Sequence, residues 1–342
     1  MRYRLLGHSG LRVSELCLGT MTFGEDWGWG ANKEVSQQMF EQFAEAGGNF
    51  VDTANNYTNG TSERFVGEFI KAERDRYVVA TKYTLRLMTG NANDPNLGGN
   101  SRKSMVRSVE HSLQRLDTDY IDLLYLHMWD FTTPVEEVLQ SVQSLMTSGK
   151  VLYFAFSDTP AWIVSHAIAK AEAYGLPRPV AFQLPYSLLN RDIERAELPM
   201  ARTYDLAVLP WGMLSGGYLT GKYSDASAGP RGSKTINDRS RAAGETVATF
   251  AQELGRTPAQ VAVNWVRQQA GNIIPILGCR TTDQIQDSLG CLDFELTAEQ
   301  LETLNAVADF NIGFPYSFLY GNNARNLIFG DSFALLDNHR QS

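Results

Sequence analysis

Short apolar runs alternate with amphipathic segments along nearly the whole chain. Eight of these runs have the length of buried strands, and they lie at 16–20, 49–52, 77–82, 121–127, 151–157, 180–183, 206–211 and 272–276. Between them, segments such as 33–46, 101–116 and 135–146 carry apolar residues at three- and four-residue spacing, which is typical of helices. Because right-handed crossovers place every helix outside the sheet, eight strand–helix units predict an α/β fold, a closed (β/α)8 TIM barrel.

Further segments flank or interrupt this alternation. Residues 3–14 contain two short extended runs around Gly7-His8-Ser9-Gly10, which predicts an N-terminal hairpin. No Gly/Pro/Ser-rich linker divides the chain, so we expect a single domain over 1–342, with the barrel at about 15–295 and a helix and extended tail at about 296–342. Long loops are usually functional or disordered, and here they lie at 23–32, 85–100 and 218–239, with an aromatic tail segment at 314–320.

Composition narrows the classes of partner. The 342-residue chain has a formal net charge of −8 and no basic stripe, so we do not expect it to bind nucleic acid. It shows neither a signal-peptide core nor about 18 consecutive apolar residues, which predicts a cytoplasmic protein without a membrane partner. Cys17, Cys279 and Cys291 are far apart, which predicts free thiols near the core rather than disulfides or a zinc site. A homo-oligomer is compatible with this composition.

Four polar side chains fall at or just after the ends of three consecutive predicted strands. Asp52 and Tyr57 follow the second strand, Lys82 ends the third and His127 ends the fourth. On a barrel these strand ends are neighbours at the active-site mouth, so the side chains can converge. A tyrosine with a pKa of about 10 is a poor proton donor near neutrality, and a nearby ammonium lowers that value. Asp52 would keep Lys82 charged and in place.

Each of the four also fits a structural role when taken alone. Asp52 could cap a helix, Tyr57 could pack half-buried, Lys82 could mark the emergence of its strand into water, and His127 could be a satisfied core histidine. Their combination at three consecutive strand ends favours a catalytic site.

The same residues lie in motifs that resemble the aldo-keto reductase superfamily over almost the whole chain. These motifs are V-D-T-A-x-x-Y at 51–57, T-K at 81–82, L-H at 126–127, L-G-x-S-G-L-x-V-S at 6–14, the glycine-rich segment 211–223 and G-C-R-T-T-D-Q at 278–284. Trp129-Asp130-Phe131, together with the segment 157–162, resembles bacterial aryl-alcohol dehydrogenase-like members, and the loops also suggest sugar aldehyde reductase-like ones. The resemblance implies reversible reduction of an aldehyde or ketone by hydride transfer. Tyr57 would be the general acid, Lys82 and Asp52 its tuning pair, and His127 a second donor.

The resemblance also implies a cofactor, NADP(H), bound across the barrel mouth without a Rossmann fold; no G-x-G-x-x-G follows a strand. Ser157, Asp158 and Gln183 resemble the residues that hold the nicotinamide carboxamide, and Tyr186 lies near enough in sequence to line that site. The pyrophosphate would lie along Gly212, Met213, Leu214, Ser215, Gly216 and Gly217, where small residues let main-chain N–H groups approach oxygen, although a plain loop is the other interpretation. Further expected contacts are Thr20, Met21, Asp52, Trp211, Lys222, Leu277 and Gly278.

NADP is favoured over NAD because Arg280 offers a planar fork of donors suited to a 2′-phosphate, with Thr281 and Gln284 beside it. Three positions depart from the family pattern. Asp158 stands where many relatives have Asn, and a carboxylate accepts but cannot donate, so one hydrogen bond must be rearranged. Gly212 replaces a frequent serine, and Ser288 stands where an adenine-contacting Asn is frequent. We expect these departures to affect cofactor affinity.

Substrate contacts are expected from loops around the mouth. The expected substrate-binding residues are Trp27, Tyr57, His127, Met128 and Trp129. Trp29 and Phe131 would extend a flat pocket, and Asp26, Asn100 and Asp130 would add hydrogen bonds for hydroxyls. An aryl or sugar-like carbonyl suits both features, although each aromatic could equally pack against the barrel rim.

Two other classes of function compete with this interpretation. An NADP(H)-binding regulatory protein on the same fold, like the cytoplasmic β subunits of voltage-gated potassium channels, would bind cofactor tightly with little turnover. A metal-dependent hydrolase using Asp52, His127 and Asp158 is disfavoured because H-x-H and H-E-x-x-H spacings are absent from a chain with five histidines, so no metal is expected.

Overall fold

The computed structural model describes residues 1–87, 93–221, 238–308 and 310–337. An N-terminal hairpin comes first, as predicted: β1 (Tyr3–Leu5) pairs antiparallel with β2 (Arg12–Ser14). Lys222 and parts of the loops at 85–100 and 218–239 lie outside the described residues. All three cysteines are buried free thiols, which confirms that prediction.

Eight parallel strands form one sheet. They are β3 (Cys17–Gly19), β4 (Phe50–Asp52), β5 (Val78–Tyr83), β6 (Ile121–Leu126), β7 (Val151–Ser157), β8 (Ala181–Pro185), β9 (Ala207–Trp211) and β10 (Ile276–Gly278). The spatial order is β10-β3-β4-β5-β6-β7-β8-β9. A parallel bridge between Val208 and Ile273 joins the two ends of this order, with the Val208 N–H donating to the Asn272 carbonyl at 2.8 Å. The predicted TIM barrel is therefore confirmed.

The eighth strand lies later in the chain than predicted. The other seven strands begin and end within two residues of the expected bounds, but the run at 272–276 divides around Pro275. Residues before Pro275 bridge to β9, whereas Ile276 begins the ladder with β3. Proline has no N–H to donate to a ladder, although the Pro275 carbonyl still accepts from the Cys17 N–H at 2.9 Å.

Helices surround this barrel. The described helices are α1 (Lys33–Glu45), α2 (Thr61–Ile70), α3 (Arg102–Leu116), α4 (Val135–Thr147), α5 (Ala161–Tyr174), α6 (Glu197–Thr203), α7 (Asp238–Glu253), α8 (Pro258–Arg267), α9 (Thr282–Leu289), α10 (Ala298–Asn305), α11 (Tyr316–Leu319) and α12 (Asn322–Phe329). Polar side chains satisfy the first backbone N–H groups of several of them. Asn32 caps α1, Ser101 caps α3, and Thr257 with Gln260 forms a capping box on α8. No helix in the described ranges is long and apolar enough to cross a bilayer.

Strand residues alternate between two hydrophobic cores, because successive side chains in a strand point to opposite faces. One core fills the barrel and contains Phe50, Val78, Ala80, Leu123, Tyr125, Ala155, Ala181, Ala207 and Leu209. The other lies between barrel and helices and contains Val51, Val79, Leu124, Phe154, Phe156, Phe182 and Val208. Continuing the inner alternation to the strand ends predicts that Asp52, Lys82, Ser157, Gln183 and Trp211 face the mouth.

The hairpin contributes to the inner core at the opposite end of the barrel. Leu6 and Val13 are fully buried within it. Next to the hairpin, Glu15 pairs with Arg267 of α8 at 3.0 Å and accepts the Arg2 backbone N–H at 2.7 Å. Only 3% of Glu15 and 8% of Arg267 is exposed, so this ion pair is sheltered from water. Arg267 also bonds the Asn264 side chain at 3.1 Å, which ties the start of the chain to α8.

Replacing Glu15 with glutamine should lower the free energy of unfolding by about 3–5 kcal/mol, because it leaves the buried Arg267 guanidinium without a counter-charge. Urea unfolding followed by circular dichroism measures the change. Glu172→Gln is the matched control, since Glu172 pairs with Arg178 through side chains that are 51% and 32% exposed. Surface pairs contribute little, so equal effects from both variants would contradict a structural role for the Glu15–Arg267 pair.

Candidate active site

A buried lysine holds the centre of the barrel mouth. The Lys82 ammonium donates to Asp52 Oδ2 at 2.5 Å, to the Thr53 carbonyl at 2.9 Å and to the Tyr57 hydroxyl at 3.1 Å. The three hydrogens of an ammonium match these three oxygens. Lys82 is 0% exposed and Asp52 2%, so the ion pair has no direct access to water. The structure therefore brings together three of the four predicted catalytic side chains.

Burial and charge act in opposite directions on this group. Burial is the largest influence on Lys82 and lowers its pKa, but Asp52 and Tyr57 together outweigh it, so the pKa lies above its ordinary value. For Tyr57, burial again dominates and raises the pKa, while Lys82 lowers it less. The net pKa of Tyr57 is raised, which is the reverse of the direction expected from the sequence.

His127 lies across the Tyr57 ring. The two ring centroids are 5.9 Å apart and the planes meet at 80°, an edge-to-face contact. Burial, and then the charge of Lys82, hold the pKa of His127 well below its ordinary value, so the imidazole is neutral at pH 7. Its Nδ1 has no hydrogen-bond partner among the described residues. A neutral imidazole keeps one N–H, so His127 can donate one hydrogen bond at the mouth.

The backbone after Tyr57 is strained. Thr58 and Asn59 have φ values of 44° and 54°, and Gly60 follows at 89°. Left-handed backbone is rare for a β-branched residue and costs about 1–3 kcal/mol per residue. The Thr58 hydroxyl donates to the Phe23 carbonyl at 2.6 Å and accepts the Ser62 N–H at 3.1 Å. These two hydrogen bonds hold the turn that begins at Tyr57.

The ends of β7, β8 and β9 form the opposite side of the mouth. Gln183 Nε2 donates to Asp52 Oδ1 at 2.8 Å, and Ser157 is its partner in the β7–β8 register. Asp158 follows at φ 38°; burial raises its pKa, and its interaction with the Trp211 side chain lowers it less. Trp211 itself is 41% exposed at the end of β9. An open indole beside polar groups can take a flat ring.

The glycine-rich segment after β9 has left-handed backbone at three glycines and is open at Gly212. Gly212, Gly216 and Gly217 have φ values of 72°, 69° and 100°, which only glycine adopts readily. A Cβ at Gly212 would meet no atom within 4 Å, so the main chain there faces open space that an anion can approach. Ser215 Oγ bonds Ser187 Oγ at 2.8 Å, and Met213 is buried while Leu214 is partly buried. These features suit a pyrophosphate held by main-chain groups.

The segment after β10 leads into the start of α9. Arg280 is exposed, and its backbone N–H donates to Gln284 Oε1 at 2.9 Å. The Thr281 hydroxyl caps α9 by accepting the Gln284 N–H at 3.3 Å. Leu277 is buried and Gly278 is exposed. Ser288 is only 5% exposed, and its hydroxyl lies 3.9 Å from Cys279 Sγ, so it is sheltered from this surface.

Two expected cofactor residues have side chains committed elsewhere. The Tyr186 hydroxyl donates to Glu194 at 2.8 Å and its ring lies 5.2 Å from that of Trp265, so with 1% exposure it packs outside the barrel. The Thr20 hydroxyl donates to the Asp52 carbonyl at 2.9 Å and contacts Ser62 of α2 at 2.8 Å. Thr20 therefore supports the end of β4 from the helix side. Met21, next to it, is partly exposed.

The expected substrate residues divide into exposed and packed side chains. The rings of Trp27 and Tyr57 lie 6.5 Å apart edge-to-face, and those of Trp27 and Trp29 lie 5.5 Å apart. Met128 is 44% exposed and Phe131 71%. Trp129, by contrast, is 8% exposed and belongs to the outer core, so most of its ring serves packing.

The polar loop residues mainly hold the loops together. Asp130 accepts the Asn100 N–H at 2.7 Å and the Thr132 and Thr133 N–H groups at 2.8 and 2.9 Å. Asn100 is fully buried and accepts the Thr84 hydroxyl at 2.8 Å, and Asp26 accepts Thr61 at 3.2 Å. Asp130 and Asn100 were expected to bind substrate hydroxyls. In the structure their polar groups form hydrogen bonds within and between the loops that follow β5 and β6.

The C-terminal aromatic segment lies at the surface. Arg195 holds its start by donating to the Asn311 and Ile312 carbonyls at 2.7 and 3.2 Å. Beyond that point Phe314 is 83% exposed and Tyr320 65%. These rings form an apolar surface rather than a packed wall.

Three supporting residues were not identified from the sequence. Thr58 and Ser62 hold the turn after Tyr57, and Tyr125 lies in the barrel with its ring 5.6 Å from the Lys82 ammonium. Tyr125 was detectable, because it is two residues before His127 and therefore faces inward. The roles of Thr58 and Ser62 depend on backbone geometry that no motif reveals. In the described part of the chain, no group of three or more His, Cys, Asp or Glu side chains could hold a metal.

A sequence model of the aldo/keto reductase family matches residues 15–309, and the chain belongs to this family. The family acts on carbonyl groups of small molecules and uses nicotinamide cofactors.

Curated relatives are similar over most of their length. A norsolorinic acid reductase of Aspergillus flavus is 40% identical over 327 residues, covering 93% of this chain and 84% of that protein. A norsolorinic acid reductase of Emericella nidulans is 39% identical over 319 residues, covering 91% and 82%. An aryl-alcohol dehydrogenase [NADP(+)] of Phanerodontia chrysosporium is 37% identical over 347 residues, covering 94% and 87%.

Replacing Thr58 with valine should lower kcat for carbonyl reduction on the order of a hundredfold, because misplacing the reacting group by about 1 Å has that effect. Valine keeps the shape but leaves the Phe23 carbonyl and the Ser62 N–H without the hydroxyl. Thr58→Ser is the matched control, since it keeps both hydrogen bonds, and it should retain most of the activity. Steady-state kinetics of both variants measure this, and equal loss in both would contradict the role of the hydroxyl.

Proposed function

We propose that this chain reduces an aldehyde or ketone, aryl or sugar-like, to the alcohol with NADPH, and that Tyr57 is the general acid. The observation that carries the proposal is the Lys82 ammonium, buried between Asp52 at 2.5 Å and the Tyr57 hydroxyl at 3.1 Å. A buried, lysine-paired phenol at a barrel mouth is suited to proton transfer.

The proton moves from the Tyr57 hydroxyl to the carbonyl oxygen. A reduced nicotinamide held near Ser157, Asp158 and Gln183 would supply hydride to the carbonyl carbon. As negative charge develops on the carbonyl oxygen, the Tyr57 phenol O–H bond breaks and an alcohol O–H bond forms. Lys82 stabilises the phenolate left behind, because its ammonium already donates to that oxygen. A neutral His127 donates a second hydrogen bond to the developing oxyanion. Proton donation by such a group typically contributes about a hundred- to ten-thousand-fold in rate.

The residues around the mouth suit the two ends of NADPH. Ser157, Asp158 and Gln183 supply polar atoms for the carboxamide, and the exposed Trp211 indole supplies a flat surface for the ring. The main chain of the segment from Gly212 to Gly217, which faces open space at Gly212, would hold the pyrophosphate. Tyr186 and Thr20 are left out of this set because their hydroxyls bond Glu194 and the Asp52 carbonyl.

The preference for NADPH rests on the exposed Arg280 at the start of α9. A guanidinium can bind a 2′-phosphate with two parallel hydrogen bonds, and a helix N-terminus favours the same charge. The printed name of one relative, aryl-alcohol dehydrogenase [NADP(+)], supports the same preference.

An aromatic substrate is favoured by the side chains around Tyr57. Trp27 stands edge-on to the Tyr57 ring, and its buried Nε1 has no hydrogen-bond partner among the residues that the structure describes. An aryl carbonyl with a nearby oxygen acceptor would satisfy that donor. Relatives named for aryl alcohols and for norsolorinic acid support an aryl compound over a small sugar.

Tyr57→Phe should lower kcat for NADPH-dependent reduction of an aryl aldehyde by about a hundred- to ten-thousand-fold, because it removes the hydroxyl that donates the proton and keeps the ring. NADPH oxidation at 340 nm measures turnover, and quenching of protein fluorescence measures NADPH binding, which should persist. Tyr174→Phe is the matched control, since Tyr174 is 63% exposed at the end of α5. Full activity of Tyr57→Phe would contradict the assignment of the acid. Tight NADPH binding by a wild type that reduces nothing would favour a regulatory cofactor-binding protein.

Arg280→Ala should weaken NADPH binding by about ten- to a hundredfold, the equivalent of a charge-assisted hydrogen bond of about 1.5–3 kcal/mol, and leave NADH binding nearly unchanged. Titration of protein fluorescence with both cofactors gives the two dissociation constants. Arg12→Ala makes the same change of charge at an exposed residue of the hairpin and should leave both constants unchanged. If Arg280→Ala weakens both cofactors equally, the arginine does not select the phosphate.

A further inference from the structure

We propose that Gln183 is a positioning residue for the Asp52–Lys82 ion pair, so that one side chain links the nicotinamide subsite to the acidity of Tyr57. The inference rests on the proposed function and deepens it. A glutamine that only bound the carboxamide would have no bond to the ion pair, whereas here its amide is engaged with Asp52.

Both carboxylate oxygens of Asp52 have a partner, one on the neighbouring strand β5 and the other on β8 across the barrel. Oδ2 accepts from Lys82 at 2.5 Å and Oδ1 from Gln183 Nε2 at 2.8 Å. In the strand order, β8 is the fourth neighbour of β4 in a barrel of eight, so this bond spans the interior. An amide donating to a carboxylate is a strong hydrogen bond that fixes where the charge lies.

Gln183 is itself held rigidly. It is 3% exposed, it pairs with Ser157 on one side and Leu209 on the other, and its carbonyl accepts the Asp158 N–H at 3.2 Å. A side-chain amide has two N–H donors and one carbonyl acceptor, of which the bond to Asp52 uses one donor. The remaining donor and the carbonyl are left for a carboxamide. A ligand that binds Gln183 therefore affects the hydrogen bond from Gln183 to Asp52. By linkage, the state of that hydrogen bond also affects the affinity for the ligand.

The effect on acidity has a definite sign. Asp52 raises the pKa of Lys82 and also that of Tyr57, so loosening Asp52 lowers both, and the phenol loses its proton at a lower pH. Other titratable groups lie near the Asp52–Lys82 pair. Burial raises the pKa of the Cys17 thiol and of the Tyr125 phenol well above their ordinary values. Burial also holds the pKa of His127 well below its ordinary value. Asp158 also faces the mouth, and burial raises the pKa of its carboxyl.

Two substitutions at Gln183 should move the alkaline limb of kcat/KM for reduction in opposite directions. Gln183→Met removes the donor at similar length, so the limb should fall by about one pH unit, which corresponds to about tenfold in proton concentration. Gln183→Glu keeps the shape but adds a negative charge beside Lys82, so the limb should rise. A side chain that only fills space would not produce shifts of opposite sign.

Ser157→Ala is the matched control, because Ser157 is the β7 neighbour of Gln183 at the same rim. It should weaken NADPH binding without moving the limb, whereas binding of 2′,5′-ADP, which lacks nicotinamide, should be unchanged in all variants. If Gln183→Met behaves as Ser157→Ala does, Gln183 serves only the cofactor and the proposal is overturned.

A second measurement separates this inference from the proposed function. In the cofactor-free protein, the absorbance of tyrosinate at about 295 nm, taken as the difference from Tyr57→Phe, follows the titration of Tyr57 itself. Gln183→Met should lower that midpoint even if no carbonyl substrate is reduced. An unchanged midpoint sinks the inference while wild-type turnover still supports the proposed function, and the absence of turnover with a shifted midpoint does the reverse.

Discussion

The whole site depends on one ammonium kept charged inside a barrel. Moving Lys82 out of water disfavours its charged form, and this is the largest influence on it. Asp52 at 2.5 Å and two further oxygens offset that penalty. An arrangement of this kind tolerates little displacement, because a buried charge that loses its partner is strongly destabilising. The ends of β4 and β5 must therefore stay in register, and the closed barrel keeps them there.

Burial, more than charge, sets the acidity of Tyr57. A lysine beside a tyrosine is expected to lower the pKa of the phenol, and Lys82 does so. Exclusion of water raises that pKa by more than Lys82 lowers it. A phenol that remains protonated at neutral pH is always ready to donate. The same exclusion of water strengthens every hydrogen bond to a developing oxyanion. In the proposed mechanism, the dry interior of the mouth therefore favours proton donation by Tyr57. The strained turn at Thr58 lies beside it and is held by two hydrogen bonds.

Alternation along the strands connects the core to the site. Phe50, Ala80, Leu123 and Ala181 fill the barrel, and the residues two positions further along their strands are Asp52, Lys82, Tyr125 and Gln183. A single rule, that successive side chains face opposite sides, therefore assigns both packing and chemistry. The rule also explains the orientation of Thr20. Cys17 faces the barrel interior, and Thr20 is an odd number of residues further on, so its hydroxyl faces Ser62 and points away from the mouth.

The sequence by itself determined the barrel, the hairpin and the convergence of Asp52, Tyr57 and Lys82, because periodicity and strand ends are local patterns. The predicted bounds of the strands agree with the observed ones to within two residues, except near Pro275. There the last strand is divided, because proline has no backbone N–H. Only the tertiary structure decided how Tyr186, Asp130 and Gln183 are used, since each contacts a residue that is remote in the chain: Trp265, Asn100 and Asp52, respectively. Hydrogen bonds of this kind, and the burial that sets each pKa, arise from packing across the barrel, which no local pattern encodes.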